Sequence, residues 1–280
     1  MMSNPVELKG HLFSGLGNEI LLVDLIKQSA QINSDSVRRL IKKKQVDFDQ
    51  LISIEAPKNP NLDLSVQIFN RDGSRAENCI NGARCLAKYV LDSELIIKEK
   101  FLVGSGKNTW KIYSHKNNEY SVEQKAPDFQ EGKSLLPTPN PSGKYELLLS
   151  GTSIEVGYVN LGNPHAVFFT SNIDEKPLVL WGEKLQHSEW FPEGVNLGLA
   201  EILSPTSIKL RVFERGVGET LSCGSGACAA VVLGNKYGLL DQNVEVNFKK
   251  GKLYIKYIVE TGLLVTRGTA DFIHELNICT

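Results

Sequence analysis

Cys79-Ile80-Asn81-Gly82-Ala83-Arg84-Cys85 and Cys223-Gly224-Ser225-Gly226-Ala227-Cys228 spell nearly the same phrase, 144 residues apart in a chain of 280. Each sets a cysteine two residues ahead of a residue suited to start a helix, Asn81 or Ser225, followed by Gly-Ala and an apolar run. After Asn81, apolar residues recur at Ala83, Leu86, Ala87 and Val90, the stripe of a one-sided helix. After Ser225 the run Ala227 to Leu233 is apolar nearly all round, which predicts a helix at the centre of its domain, with Gly238 as its stop. Gly17-Asn18 returns as Gly162-Asn163, and Phe69-Asn70 returns as Phe213-Glu214, at almost the same offset. Ordered matches of this kind indicate an internal duplication, two similar domains expected to face each other.

Short β-rich runs lie in both halves: Leu51–Ile54, Leu64–Phe69, His165–Phe169 and Ile208–Phe213, several of them alternating in polarity as half-buried strands do. Lys116-Asn117-Asn118, between Tyr113 and Tyr120, reads as a hairpin turn. The Pro- and Gly-bearing stretch Pro137 to Gly143 reads as a loop soon after the crossover between halves. The fold class is therefore α/β (α+β).

Apolar content of 41% and charged content of 22% suit a soluble globular protein. With a net charge of −1, nothing global draws the chain to nucleic acid or an anionic membrane. The basic run Arg38-Arg39-Leu40-Ile41-Lys42-Lys43-Lys44 reads as a solvated helix face. No stretch is long and apolar enough for a membrane span, and the first residues lack the order of an export signal, so a cytoplasmic location is expected. Five cysteines, an odd number, argue against a secreted disulfide framework. The spacing of the four paired cysteines departs from that of a zinc site, and no metal is expected.

A thiol has an ordinary pKa of about 8.5. At a helix start it meets unsatisfied backbone N–H groups and the positive end of the helix dipole, and both favour the thiolate. The same N–H groups suit a carboxylate. Each dipole contributes only about 0.3–1 kcal/mol in water, so labilising a carbon acid next to that carboxylate also requires a site closed to water, with the two domains closing over the substrate. Cys85 and Cys228, inside the helices, read as packing residues.

Asn70-x-Asp72-Gly73-Ser74 with Cys79-x-Asn81-Gly82-Ala83-Arg84-Cys85 resembles the first active-site segment of the diaminopimelate epimerase family. Glu214-Arg215-Gly216-x-Gly218-Glu219-Thr220-x-x-Cys223-Gly224-Ser225-Gly226-Ala227-Cys228 resembles the second. Gly15-x-Gly17-Asn18, Phe48-Asp49-Gln50, Gly162-Asn163-Pro164-His165 and Phe191-Pro192-Glu193-x-x-Asn196 match the remaining sites in order, so the resemblance spans essentially the whole chain.

The resemblance implies two pseudo-symmetric domains, residues 1–122 with the tail 268–280 returning to it and residues 123–267. Each would be a mixed sheet curled around a central helix, with the active site in the interdomain cleft. It implies a cytoplasmic isomerase of lysine biosynthesis that epimerises LL-2,6-diaminopimelate to the meso form without pyridoxal phosphate or any other cofactor, its partner a small amino acid and its assembly a homodimer. Relatives of the same fold racemise proline, hydroxyproline or histidine, the alternative substrate class. Cys79 and Cys223 would be the acid/base pair, and His165 and Glu214 would adjust their pKa values. The backbone N–H groups of Ile80, Asn81, Gly224 and Ser225 would hold the reacting carboxylate. Asn18, Gln50, Asn70, Asn163, Asn196, Glu214 and Arg215 would bind the distal end, amides because they both donate and accept, and arginine because its fork suits a carboxylate. The chain differs from the family pattern at Arg71, at Ile80 and over residues 45–48.

Overall fold

Segments that alternate in polarity form strands, and the two cysteine-led segments form helices. A computed structural model describes residues 7–43, 46–76, 78–106, 108–124, 128–130, 135–149 and 151–279. In chain order these are β1 (Glu7–Gly15), β2 (Asn18–Asp24), α1 (Ser34–Lys42), β3 (Gln50–Glu55), β4 (Leu64–Asn70), β5 (Arg75–Ala76), α2 (Ile80–Asp92), β6 (Lys100–Ser105), β7 (Asn108–Ser114) and β8 (Glu119–Gln124). There follow β9 (Tyr145–Leu149), β10 (Thr152–Asn160), β11 (Pro164–Thr170), α3 (Leu178–Gln186), β12 (Asn196–Ser204), β13 (Ser207–Glu214) and β14 (Gly218–Thr220). The chain closes with α4 (Gly224–Lys236), β15 (Asn243–Phe248), β16 (Gly251–Ile258), β17 (Leu263–Thr269) and β18 (Asp271–Cys279). It divides into two compact units, one drawn from residues 1–124 and 267–280, the other from residues 125–266.

The first unit pairs β1 with β2 antiparallel, β2 with β3 parallel across α1, and β3 with β4 antiparallel. It then pairs β4 with β5 antiparallel and with β6 parallel across α2, and ends in the antiparallel run β6–β7–β8. The second unit repeats the sequence of pairings. β10 with β11, β12 with β13, β13 with β14 and β15 with β16 are antiparallel, while β11 with β12 and β13 with β15 are parallel, crossed by α3 and α4. One further strand lines the outside of each repeat, β18 on β1 and β9 on β10. The duplication read from the cysteine segments thus extends through the pairings from β1–β2 to β6–β7 and their counterparts from β10–β11 to β15–β16.

Period-two alternation sends side chains to both faces of the first unit's sheet. Ile20, Leu22, Ile52 and Ile68 pack on the side of α2, with Cys85, Leu86 and Val90. Their neighbours Leu21, Val23, Leu51 and Phe69 pack on the other side, with Val37 and Leu40 of α1. In the second unit Leu178, Trp181 and Leu185 of α3 join Ala166, Leu197, Leu199 and Phe213. α4 buries every residue from Gly226 to Gly234, as its all-round apolar sequence predicts. Each fully buried leucine or valine in these clusters stabilises by about 1.5–3 kcal/mol relative to exposure.

Local signals fall where the chemistry asks. Asn117 and Asn118 have φ of 62° and 58°, the left-handed pair of a type I′ hairpin turn between β7 and β8. Gly238, at φ 67°, ends α4, with Leu239 N–H donating back to Gly234 at 2.8 Å. In the basic run, Arg38, Arg39, Lys42 and Lys43 are exposed on or just past α1, while Val37 and Leu40 are buried. Lys44 and Gln45 lie outside the described residues.

Gly182 in α3 sits under Phe213, and an added Cβ would fall within that ring. Gly182→Ala is therefore expected to destabilise by about 1–3 kcal/mol, whereas Val179→Ala on the exposed side of α3 stays within about 0.5 kcal/mol of the parent, both measured by urea unfolding.

Candidate active site

Helices α2 and α4 have the same length, 13 residues, and the same unusual cap. Cys79 takes extended backbone angles (φ −147°, ψ 95°) and its sulfur accepts the N–H of Gly82 at 3.1 Å. Cys223 does the same (φ −136°, ψ 112°), its sulfur accepting the N–H of Gly226 at 3.3 Å. The helices therefore start at Ile80 and Gly224, one residue earlier than the expected Asn81 and Ser225. The correction has a simple cause: the thiol itself fills the N-cap role that a serine, asparagine or aspartate oxygen usually fills. Glycine as the third helical residue leaves room for this approach. A Cβ at Gly82 would lie 3.0 Å from Cys79 Sγ and against Ile52, and one at Gly226 would lie 2.9 Å from Val212 and 3.4 Å from Cys223 Sγ. Both sulfurs are buried, and no disulfide joins any of the five cysteines.

In the first unit the expected residues gather at one end of adjacent strands. Gly15 pairs with Asn18, Ile20 with Gln50, and Gln50 with Asn70. Gln50 Nε2 donates to Asn70 Oδ1 at 3.0 Å, and Asn70 Nδ2 donates to Ser74 Oγ at 3.0 Å. Asn18 Nδ2 donates to Asp49 Oδ2 at 3.2 Å. The start of α2 lies over this strand end, because a Cβ on Gly15 would sit 3.0 Å from Asn81 Cβ. Ile80 turns its side chain into the core of the unit, so it offers the site its backbone. An ion pair between Arg71 and Asp47 spans the loop before Gln50 and the turn after Asn70.

In the second unit short runs of hydrogen bonds hold the expected residues. Cys223 Sγ lies 3.5 Å from Ser225 Oγ, which accepts from Asn163 Nδ2 at 3.4 Å. Asn163 Oδ1 contacts His165 Nε2 at 3.1 Å, and Asn196 Nδ2 donates to the carbonyl of Pro164 at 3.1 Å. Asn196 Oδ1 accepts the backbone N–H of Arg215 at 2.9 Å, and the Arg215 guanidinium reaches Glu193 O at 3.2 Å. Glu214 Oε1 accepts from Thr220 Oγ1 at 2.5 Å.

Burial, and then the charge of Glu214, push the Cys223 thiol well above its ordinary range, while the Ser225 hydroxyl and Gly226 N–H pull the other way. Cys223 therefore rests as a thiol. Burial first and the Arg215 charge second lower His165 to about 3, so it is neutral. His165 reaches Cys223 through Asn163 and Ser225, while Glu214 acts on the thiol's pKa itself. Burial drives Cys85 far above the thiol range, consistent with packing rather than reactivity.

Two further residues support the first-unit site. Arg84 is fully buried; its Nη2 donates to Asn81 Oδ1 at 2.8 Å and its Nε to Thr269 O at 3.2 Å. Asp49 fixes Asn18. The signal for Arg84 was its place one turn into a buried helix, where a charged residue needs polar partners.

Known proteins bear on both fold and family. A hydroxyproline epimerase from Agrobacterium vitis superposes with a TM-score of 0.70 at 12% identity, covering 98% of this chain and 92% of that one. A phenazine biosynthesis protein of the PhzF family from Bacillus anthracis gives 0.66 at 15% identity, covering 98% and 99%. These likenesses define the class of the fold, a duplicated α/β protein, here with a cysteine-capped helix in each repeat. The sequence profile of diaminopimelate epimerase matches residues 12–128 and 157–273, one stretch in each repeat. A diaminopimelate epimerase from Nitrosomonas europaea is 39% identical over 271 residues, 96% of this chain and 98% of its own length. One from Teredinibacter turnerae is 39% identical over 244 residues, 87% and 88% of the two. The chain belongs to the diaminopimelate epimerase family.

His165 gives the fold an acid limit. The native imidazole stays neutral down to about 3, while the unfolded chain takes up a proton below its ordinary 6.5. Its stability contribution is complete above pH 6.5 and is lost as pH falls from there toward 3. The urea midpoint of His165→Asn is expected to fall less than the parent's between about pH 7 and about pH 4.5; parallel losses would remove His165 as the cause.

Proposed function

We propose that this chain interconverts LL- and meso-2,6-diaminopimelate by moving the α-proton, with Cys79 and Cys223 as the acid/base pair. The observation that carries the reading is the matched cysteine cap on two equal helices in a chain of this family. One thiolate takes the α-proton, and the C–H electron pair stays on carbon as a carbanion delocalised into the carboxylate. The opposite thiol delivers its proton to the other face. The two cysteines then hold exchanged protonation states, and the reverse reaction uses them in the other order.

Helix starts suit this chemistry. The N–H groups of Ile80, Asn81, Gly224 and Ser225 lie in the first turns of their helices, where the positive end of the dipole favours the negative charge that builds on the carboxylate. Arg215 and the amides of Asn18, Gln50, Asn70, Asn163 and Asn196 would bind the distal amino-acid end, with Glu214 drawing its ammonium. The residues themselves carry the acid/base chemistry, and the reading assigns no cofactor or metal. It places the enzyme in the cytoplasm, in lysine biosynthesis, as a homodimer. Among the described residues, no helix is long and apolar enough to cross a membrane.

Purified enzyme without added cofactor is expected to interconvert the two stereoisomers, and Cys79→Ala or Cys223→Ala to abolish interconversion. Full epimerisation by either variant would end the two-cysteine mechanism. A panel containing diaminopimelate, proline, hydroxyproline and histidine tests the substrate; preference for any of the others would reverse the assignment.

A further inference from the structure

The Asn18 amide sits in an asymmetric environment. Its Nδ2 donates to Asp49 Oδ2 at 3.2 Å, while its Oδ1 is buried with no hydrogen-bond partner among the described residues. A half-turn of an amide exchanges oxygen and nitrogen with little change of shape, so its neighbours decide which atom points where. Asp49 decides it here. An ionised carboxylate only accepts, and the reversed amide would set oxygen against oxygen. Asp49 is itself held in place: Oδ2 also accepts the Glu19 N–H at 2.8 Å, and its own N–H donates to Glu19 O at 2.8 Å. Burial, the largest influence, raises the Asp49 pKa, the Glu19 N–H lowers it, and the opposite charges of Asp47 and Arg71, which pair with each other, largely oppose each other there.

We propose that Asp49 is a positioning residue that locks Asn18 with its carbonyl oxygen toward the substrate, so that Asn18 recognises an N–H donor, the primary ammonium of the amino acid. The inference rests on the amino-acid epimerase reading above. A buried acceptor without a partner costs free energy until a donor arrives, and an ammonium brings three N–H groups. The Asp49 charge behind the amide favours a cation in front of it. A carboxylate in the same place would meet the Asn18 oxygen without a proton between them. Asn18 and Asp49 thus select for the ammonium, while Arg215 in the other unit carries the charge that suits a carboxylate.

The test is a double-variant cycle on Asn18→Ala and Asp49→Ala, read from kcat and KM with LL-diaminopimelate and from the melting-temperature shift that diaminopimelate produces. Each single variant is expected to raise KM about tenfold or more with kcat within a few-fold, the loss of one hydrogen bond to a charged group. The double variant is expected to be no worse than the poorer single, because Asp49 acts through Asn18. Multiplying losses in the double variant, or a parental KM in Asp49→Ala, would overturn the proposal. Asp49→Asn keeps an acceptor for the Glu19 N–H and supplies the cycle if Asp49→Ala does not fold. Parent enzyme that fails to turn over diaminopimelate would overturn the activity reading, and the thermal-shift cycle would still decide the role of Asp49.

Discussion

The contact between a cysteine sulfur and the N–H three residues on, at the start of a buried helix, is the constraint around which each unit is arranged. Sulfur is a weak acceptor as a thiol and a far better one as a thiolate, so a cap of this kind favours ionisation at the position where a base is wanted. It also restricts the sequence. Glycine suits the third helical position, since a Cβ at Gly82 or Gly226 would crowd the cysteine side chain and a side chain of the strand beneath. The helix has to be held rigidly, and in α4 the unbroken burial from Gly226 to Gly234 does so. The parallel pairs β2–β3 and β11–β12, with the antiparallel pair β3–β4, then bring asparagine and glutamine to the strand ends beside the cysteine-led helix starts.

Opposing forces set the resting state of Cys223. Burial and the Glu214 carboxylate hold the proton on, and the Ser225 hydroxyl and Gly226 N–H favour its loss. An enzyme that must both give and take a proton benefits from such a balance, because each direction of the reaction needs a different starting state. His165, being neutral, adds no charge to that balance and serves to orient Asn163 beside Ser225.

Much of this was legible in the sequence because the signals are local. The repeated cysteine segments, the apolar periodicity after each, the Asn-Asn turn and Gly238 each depend on a few neighbouring residues. The pairing of Phe69-Asn70 with Phe213-Glu214 correctly pointed to equivalent ends of β4 and β13. Two features depend on contacts distant in sequence and a third on a cap role cysteine rarely takes, and none of the three was legible. Asp49 matters through Asn18, 31 residues earlier. Arg84 is satisfied by Thr269, 185 residues later. The helix starts were read one residue late because cysteine is not among the usual caps, and its role becomes visible only when the sulfur lies within reach of an N–H. Arg71, foreign to the family pattern, found a partner in Asp47, an exposed pair that contributes little to stability.

The central claim is that two thiols share one proton transfer, and solvent labelling in the first turnover tests it most directly. LL-diaminopimelate is mixed with enzyme in heavy water and quenched before the reverse reaction builds up. The account predicts meso product carrying one deuterium at the inverted carbon, while the remaining LL pool stays unlabelled. Product that retains its original α-proton would show a single group moving the proton from face to face, and would contradict the account.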